Sequence, residues 1–174
     1  ALWSVAGLWS FPDALPASLT LRTWAQAAPG LWQAGLTTAG LGLGAAAMAL
    51  VLTLGCLEAE HRFALTASRA GLILWLPLLV PQIAFLPGLQ VLALHLGAAG
   101  SLASVTATHL VFVLPYVFLS LATPYRRFDP QIALIGASLG ASDTRIFWCL
   151  RLPMLLASLL TASAVGIAVS VGQY

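Results

Sequence analysis

Charge is what this sequence has least of. Only 7% of its 174 residues are charged: seven arginines, no lysine, and five acidic residues. Soluble domains carry about 25% charge, and a chain of this size needs a polar surface to stay in water. A water-soluble globular domain is therefore excluded. The net charge of +2 is too small for a nucleic-acid partner, and the arginines are grouped in loops rather than along one helix. The two cysteines, Cys56 and Cys149, lack metal-ligand spacing, and both fall at ends expected to face a reducing cytoplasm. No P-loop, nucleophile–base pair or metal cluster is present, so no catalysis and no cofactor are expected in this chain. What is abundant is apolar surface, 60% of the residues. This composition describes a membrane protein. The chain begins without Met and stops in an apolar run at Gln173-Tyr174, which gives the expectation of a fragment of a longer polypeptide.

Taken in order, residues 1–30 read as the end of a preceding helix and a loop. Ala1 to Trp9 is too short to span, and Ser10 to Gly30 carries Pro12, Pro16 and Pro29. Trp9, Trp24 and Trp32 bracket this loop as an interfacial belt. The core, 31–174, is expected to hold spans at about 31–56, 70–97, 102–122 and 154–174. The first is rich in small residues, and Gly40 and Gly44 lie on one face where a neighbouring helix can approach. The second is broken by Pro77, Pro81 and Pro87. Such breaks persist in a bilayer where protein or a water-filled cavity satisfies the freed carbonyls. Gln82 and Gln90 sit beside the breaks, which nominates this helix to line a pathway, with simple packing kinks as the alternative. His109, inside the third span, reads first as a neutral histidine bonded to a neighbouring helix and second as part of that pathway.

Between Glu58 and Arg69 lies a short charged loop, and 123–153 is a longer one. These two loops hold six of the seven arginines and are assigned to the cytoplasm by the positive-inside rule. The longer loop has the grammar of two short helices. Pro130 suits a first helical turn and Gly140 the left-handed residue that ends a helix. Ser142 or Asp143 caps a second helix starting near Thr144, and Pro153 opens the last span. The first of these helices shows Ile132, Leu134, Ile135 and Leu139, with no charge between Asp129 and Asp143. A helix that apolar needs a partner to cover it. Lying flat on lipid headgroups is the competing reading, weakened by the missing basic residues.

The loop resembles the cytoplasmic signature loop of the permeases of binding-protein-dependent ABC importers. Three residues separate Gly140 from the trio Leu134, Ile135 and Gly136, nine separate it from the aliphatic Leu150, and one residue more leads to Leu152-Pro153. The family pattern has these intervals, with Glu-Ala-Ala where this chain has Leu134-Ile135-Gly136. The resemblance implies an all-α membrane protein, a type I importer permease core of about four transmembrane helices. Its coupling helix would sit on a cytosolic ATPase through Asp129, Leu134, Ile135, Gly136, Leu139, Gly140, Ala141, Leu152 and Pro153. It further implies a multi-pass protein of the bacterial inner membrane. The partners would be an ABC ATPase dimer that holds ATP and magnesium, a periplasmic solute-binding protein, a second permease half and membrane lipid. Residues 79–84, Gly88-Leu89-Gln90 and Ser170-Val171-Gly172-Gln173-Tyr174 are similar to stretches of permeases for ferric iron, thiamine, sulfate or polyamines. That similarity adds Gln173 to Gln82, Gln90 and His109 as a lining candidate. Several such transporters fuse two permease halves in one chain, and this chain is expected to be part of one. An ion-coupled secondary transporter is the alternative, and it needs buried carboxylates where every acidic residue here falls in a loop. An intramembrane hydrolase would have to pair His109 with Ser104 or Ser120.

Overall fold

The computed structural model describes residues 2–8, 10–12, 14–16, 18–63 and 74–173. Trp9, Asp13 and Tyr174, and residues 64–69 of the expected 58–69 loop with Arg69 among them, lie outside the described residues. The chain divides into two units, Ala1–Ala39 and Gly40–Tyr174.

In the first unit a short 3-10 turn, Leu2–Val5, leads into a single antiparallel bridge between Ala6 and Leu19. Gly7 N–H donates to Ser18 O at 2.7 Å and Thr20 N–H to Val5 O at 2.8 Å. Trp24 Nε1 donates to Ser4 O at 2.6 Å, so this ring is held by the turn as well as by its apolar faces. The loop expected up to residue 30 ends sooner than that. Helix α1, Arg22–Arg62, starts where Thr20 Oγ1 accepts from Arg22 N–H. Pro29 sits inside this helix without ending it.

The second unit is a helical bundle. After α1 come α2 (Leu76–Leu79), α3 (Gln82–His95), α4 (Leu102–Arg126), α5 (Pro130–Ser138), α6 (Asp143–Met154) and α7 (Leu156–Val171). Helices α1 and α4 are long and apolar enough to cross a membrane, and α6 with α7 makes a third candidate bent by 71°. Where about four spans are expected, the described residues hold two, or three with the bent pair. The difference lies in the segment expected at 70–97. Pro81 breaks it as anticipated, leaving α2 and a 14-residue α3 on either side. At 1.5 Å per residue α3 is about 21 Å long, short of the ~30 Å hydrocarbon core. Pro87, by contrast, stays inside α3.

The core lies where α1, α4 and α7 meet: Ala49, Leu57, Val113, Val117, Leu121, Leu155 and Ala162 are buried together. Small residues set the spacing, although not the pair expected. A Cβ at Gly40 or Gly44 would meet nothing within 4 Å, whereas Gly42 lies against Ser170 and Gly166 against Val117, Ala46 and Val113. A Cβ on Gly166 would come within 2.9 Å of Val117, so a side chain there would push α7 off α4. Sequence spacing identifies a glycine-rich helix; which face of it is used depends on the partner.

The last span also begins differently from expectation. Pro153 does not open it. The helix runs on from Asp143 through a π turn at Phe147–Arg151 to Met154, and the sharp bend falls at Leu155, before α7. A π turn inserts one residue per turn and re-aims the side chains within it. Here it turns Arg151 inward.

Candidate functional site: a polar cavity and an arginine-centred loop

Two sites emerge at opposite ends of α4. The first is a cavity of about 420 Å³ beside its N-terminal half. Helices α3 and α4 form a hairpin through Leu96 to Ser101, with Gly97 and Gly100 at φ +66° and +74°, a backbone region that favours glycine. Ser101 Oγ caps α4 by accepting from Ser104 N–H at 3.1 Å. Phe85 and Phe112 pack edge to face with centroids 6.0 Å apart and hold the hairpin together. Gln82, Gln90, His109 and Gln173 all line this one cavity, with Ser104 and Thr108. Four residues widely separated in sequence are brought to one wall.

His109 is buried, and its Nδ1 lies 2.7 Å from Ser170 Oγ on α7. Ser120 Oγ donates to Tyr116 O, and Ser104 lines the cavity wall. Gln173 Nε2 is buried without a hydrogen-bond partner among the described residues. A buried amide donor left open costs about 1–3 kcal/mol, and it sits in the wall where a bound solute's acceptor would satisfy it.

The second site is the loop. Asp129 Oδ1 accepts from Gln131 N–H at 2.9 Å, which caps α5, and Pro130 occupies its first turn. Gly140 has φ +81°. Its N–H donates to Ala137 O, and Ala141 N–H to Gly136 O at 3.1 Å, closing α5 with a left-handed residue. Ser142 Oγ then accepts from Arg145 N–H at the start of α6. Gly136 is buried, and a Cβ there would stand 3.0 Å from Leu150 and 3.2 Å from Ile146. This residue therefore lets α5 lie close on α6. Outward, Leu134 is 67% exposed, Ile135 60% and Leu139 83%. Ala141 is half-buried at the turn, and Leu152 and Pro153 follow the π turn.

What sequence reasoning missed is the centre of this site. Glu58 and Glu60, read as loop residues, stand in the last turns of α1. Arg151, counted only as one more positive charge, is 3% exposed. Its Nη1 donates to Glu58 Oε2 and, at 3.2 Å, to Tyr125 Oη at the end of α4. Tyr125 Oη donates to the same Glu58 oxygen. Arg151 Nη2 lies 3.2 Å from His61 Nε2, and its guanidinium stacks over Tyr125 and Phe128, 5.5 and 5.3 Å from the ring centroids. Beside it Arg126 pairs with Glu60 at 2.9 Å and Arg62 with Glu58 at 3.1 Å, both nearer the surface. One buried side chain thus ties α6 to the ends of α1 and α4. The available signal was the placement of Arg151 between Leu150 and Leu152-Pro153, a lone charge in an apolar run.

No family model matches the chain. Among curated proteins, an inner membrane ABC transporter permease protein of Escherichia coli strain K12, YnjC, is 37% identical over 134 residues. That match covers 77% of this chain and 25% of the relative. PhnV of Salmonella typhimurium strain LT2, named as a 2-aminoethylphosphonate transport system permease protein, is 26% identical over 165 residues, covering 91% of this chain and 62% of PhnV. The chain spans about a quarter of the first relative and three fifths of the second. Both are transport subunits. With the apolar helices α1 and α4 and these relatives, the chain belongs to the bacterial inner-membrane permeases of ABC transporters.

Proposed function

We propose that the chain is a permease component of an ATP-driven importer, whose helices line the solute path and whose 129–153 loop docks on a cytosolic ATPase. The observation that carries this reading is the exposed row Leu134, Ile135 and Leu139 on a helix ended by a left-handed Gly140. Such a row is stable in water only when a partner covers it. ATP with its magnesium belongs to that partner, and this chain moves solute without carrying out chemistry. On the far side a solute-binding protein delivers the cargo, and a second permease half closes the path.

The cavity with Gln82, Gln90, His109 and Gln173 is the path's lining. Amide and imidazole groups recognise a polar solute by hydrogen bonds, and the open Gln173 donor asks for an acceptor on it. The stretches 79–84 and 170–174 favour a permease of the ferric-iron, thiamine, sulfate or polyamine kind, and the name of PhnV adds a phosphonate to that range of small polar cargo.

The test is co-purification of the full-length protein with its ATPase, intact and as Leu139→Asp. Leu139 is exposed, so the substitution leaves the bundle in place while putting a charge into the dock. Loss of the ATPase from the variant alone is the expected result. An ATPase absent from both forms, with uptake continuing without ATP, would overturn the reading in favour of an ion-coupled transporter.

A further inference from the structure

An exposed docking helix is of use to a transporter only if its displacement reaches the spans. Helix α5 meets the bundle through α6, and the described residues give one polar junction between α6 and the spans. That junction is Arg151, bonded to Glu58 on α1 and Tyr125 on α4. Apolar packing alone lets helices slide, whereas a guanidinium fork has fixed directions and holds both partners in register. The aromatic faces of Tyr125 and Phe128 enclose the guanidinium on its flanks. Burial makes the junction stiff, since an arginine at 3% exposure has no water to replace a lost carboxylate.

We infer that Arg151 is a positioning residue for energy coupling: through Glu58 and Tyr125 it carries movement of the docked loop to α1 and α4, and so to the cavity. The inference rests on the proposed docking function. It assigns to Arg151 no contact with the ATPase and none with solute. Three features of the geometry require this division of labour. The dock is made by Leu134, Ile135 and Leu139, all well exposed, whereas Arg151 is buried against Glu58 and Tyr125. The cavity lies beside the other half of α4, at Ser104, Thr108 and His109. Tyr125 and His109 share that helix, sixteen positions apart, about 24 Å along its axis.

The test uses the full-length permease with its ATPase in proteoliposomes, with every native cysteine of the permease, Cys56 and Cys149 among them, changed to Ser and a single reporter, Ser104→Cys, in the cavity wall. The readout is the rate of labelling by a water-soluble maleimide, with and without ATP and vanadate. In the parent the nucleotide changes that rate. Arg151→Gln and Glu58→Gln should each retain the bound ATPase and its basal hydrolysis while the labelling rate loses its response to nucleotide. The exchanged pair Glu58→Arg with Arg151→Glu should restore it. Tyr125→Phe, which keeps the ring and removes one hydroxyl, should fold where the others fail and should show a partial loss. A full nucleotide response in Arg151→Gln or Tyr125→Phe overturns the inference and leaves the docking reading standing. Loss of the ATPase from the Arg151 and Glu58 variants also overturns it, since the network would then serve only the fold of the loop. A parent complex without any ATPase overturns the proposed function and this inference together.

Discussion

The two ends of α4 use polar groups in opposite ways. At the cavity, Gln82, Gln90, His109 and Gln173 are drawn from α3, α4 and the end of α7, and one amide donor is left open. At the loop, Glu58, His61, Tyr125 and Arg151 are interlocked, and one buried cation holds an anion and two rings. A wall that must release what it binds does well with unfilled hydrogen bonds, because a solute fills them only in passing. A junction that must hold helices in register does well with several bonds made at once, as Arg151 Nη1 and Nη2 make them, although Arg151 Nε has no partner among the described residues. The difference between the two ends is one of charge and of the number of bonds made.

The contrast can be broken by exchanging these properties, and the largest effect is expected at the loop. Arg151→Met removes the buried cation and leaves Glu58 with only Arg62 and Tyr125, which should cost roughly 3 kcal/mol. Thermal unfolding in detergent would measure it, and a change under about 1 kcal/mol would mean the network is solvated rather than buried. At the cavity the sign reverses. Gln173→Leu removes an unsatisfied buried amide at nearly constant volume and should stabilise the protein by up to about 1 kcal/mol. The same variant should lose solute uptake, so a melting curve and an uptake assay would move in opposite directions. Least is expected of Arg126→Ala, beside the network but half exposed. Its pair with Glu60 is worth about 0.5 kcal/mol and should fade with added salt. If Arg126→Ala costs as much as Arg151→Met, burial is not what separates the two arginines.

Much of this arrangement was legible before any coordinates. Long uncharged runs predict α1 and α4 because the bilayer demands length and apolarity, both of which are local properties of sequence. Asp129, Pro130, Gly140 and Ser142 announce the loop's two helices for a similar reason: caps and left-handed residues are chosen within a few positions of where they act. Proline proved less readable. Pro81 breaks its segment and Pro87 does not, since a lost backbone bond ends a helix only where packing also favours a turn. The last span starts after the bend at Leu155 rather than at Pro153, because the π turn that precedes it leaves no mark in residue type. Arg151 was hidden by distance. Its partner Glu58 lies far back in the chain, and a buried arginine and a surface one look identical until the helices are assembled.

The bend has one more consequence. Helices α6 and α7 meet at 71°, and their corner, Leu155, is itself buried in the core. Two straight arms joined at a clamped corner make a bell crank. The arm toward the loop is about 18 Å long and the arm toward the cavity about 24 Å. A rotation about Leu155 therefore moves the far tip about a third farther than the near one. That far tip carries Ser170 and Gln173. Were the two arms to turn as one body, a swing of the short arm would reach, enlarged by that third, the side of the cavity where Ser170 meets His109.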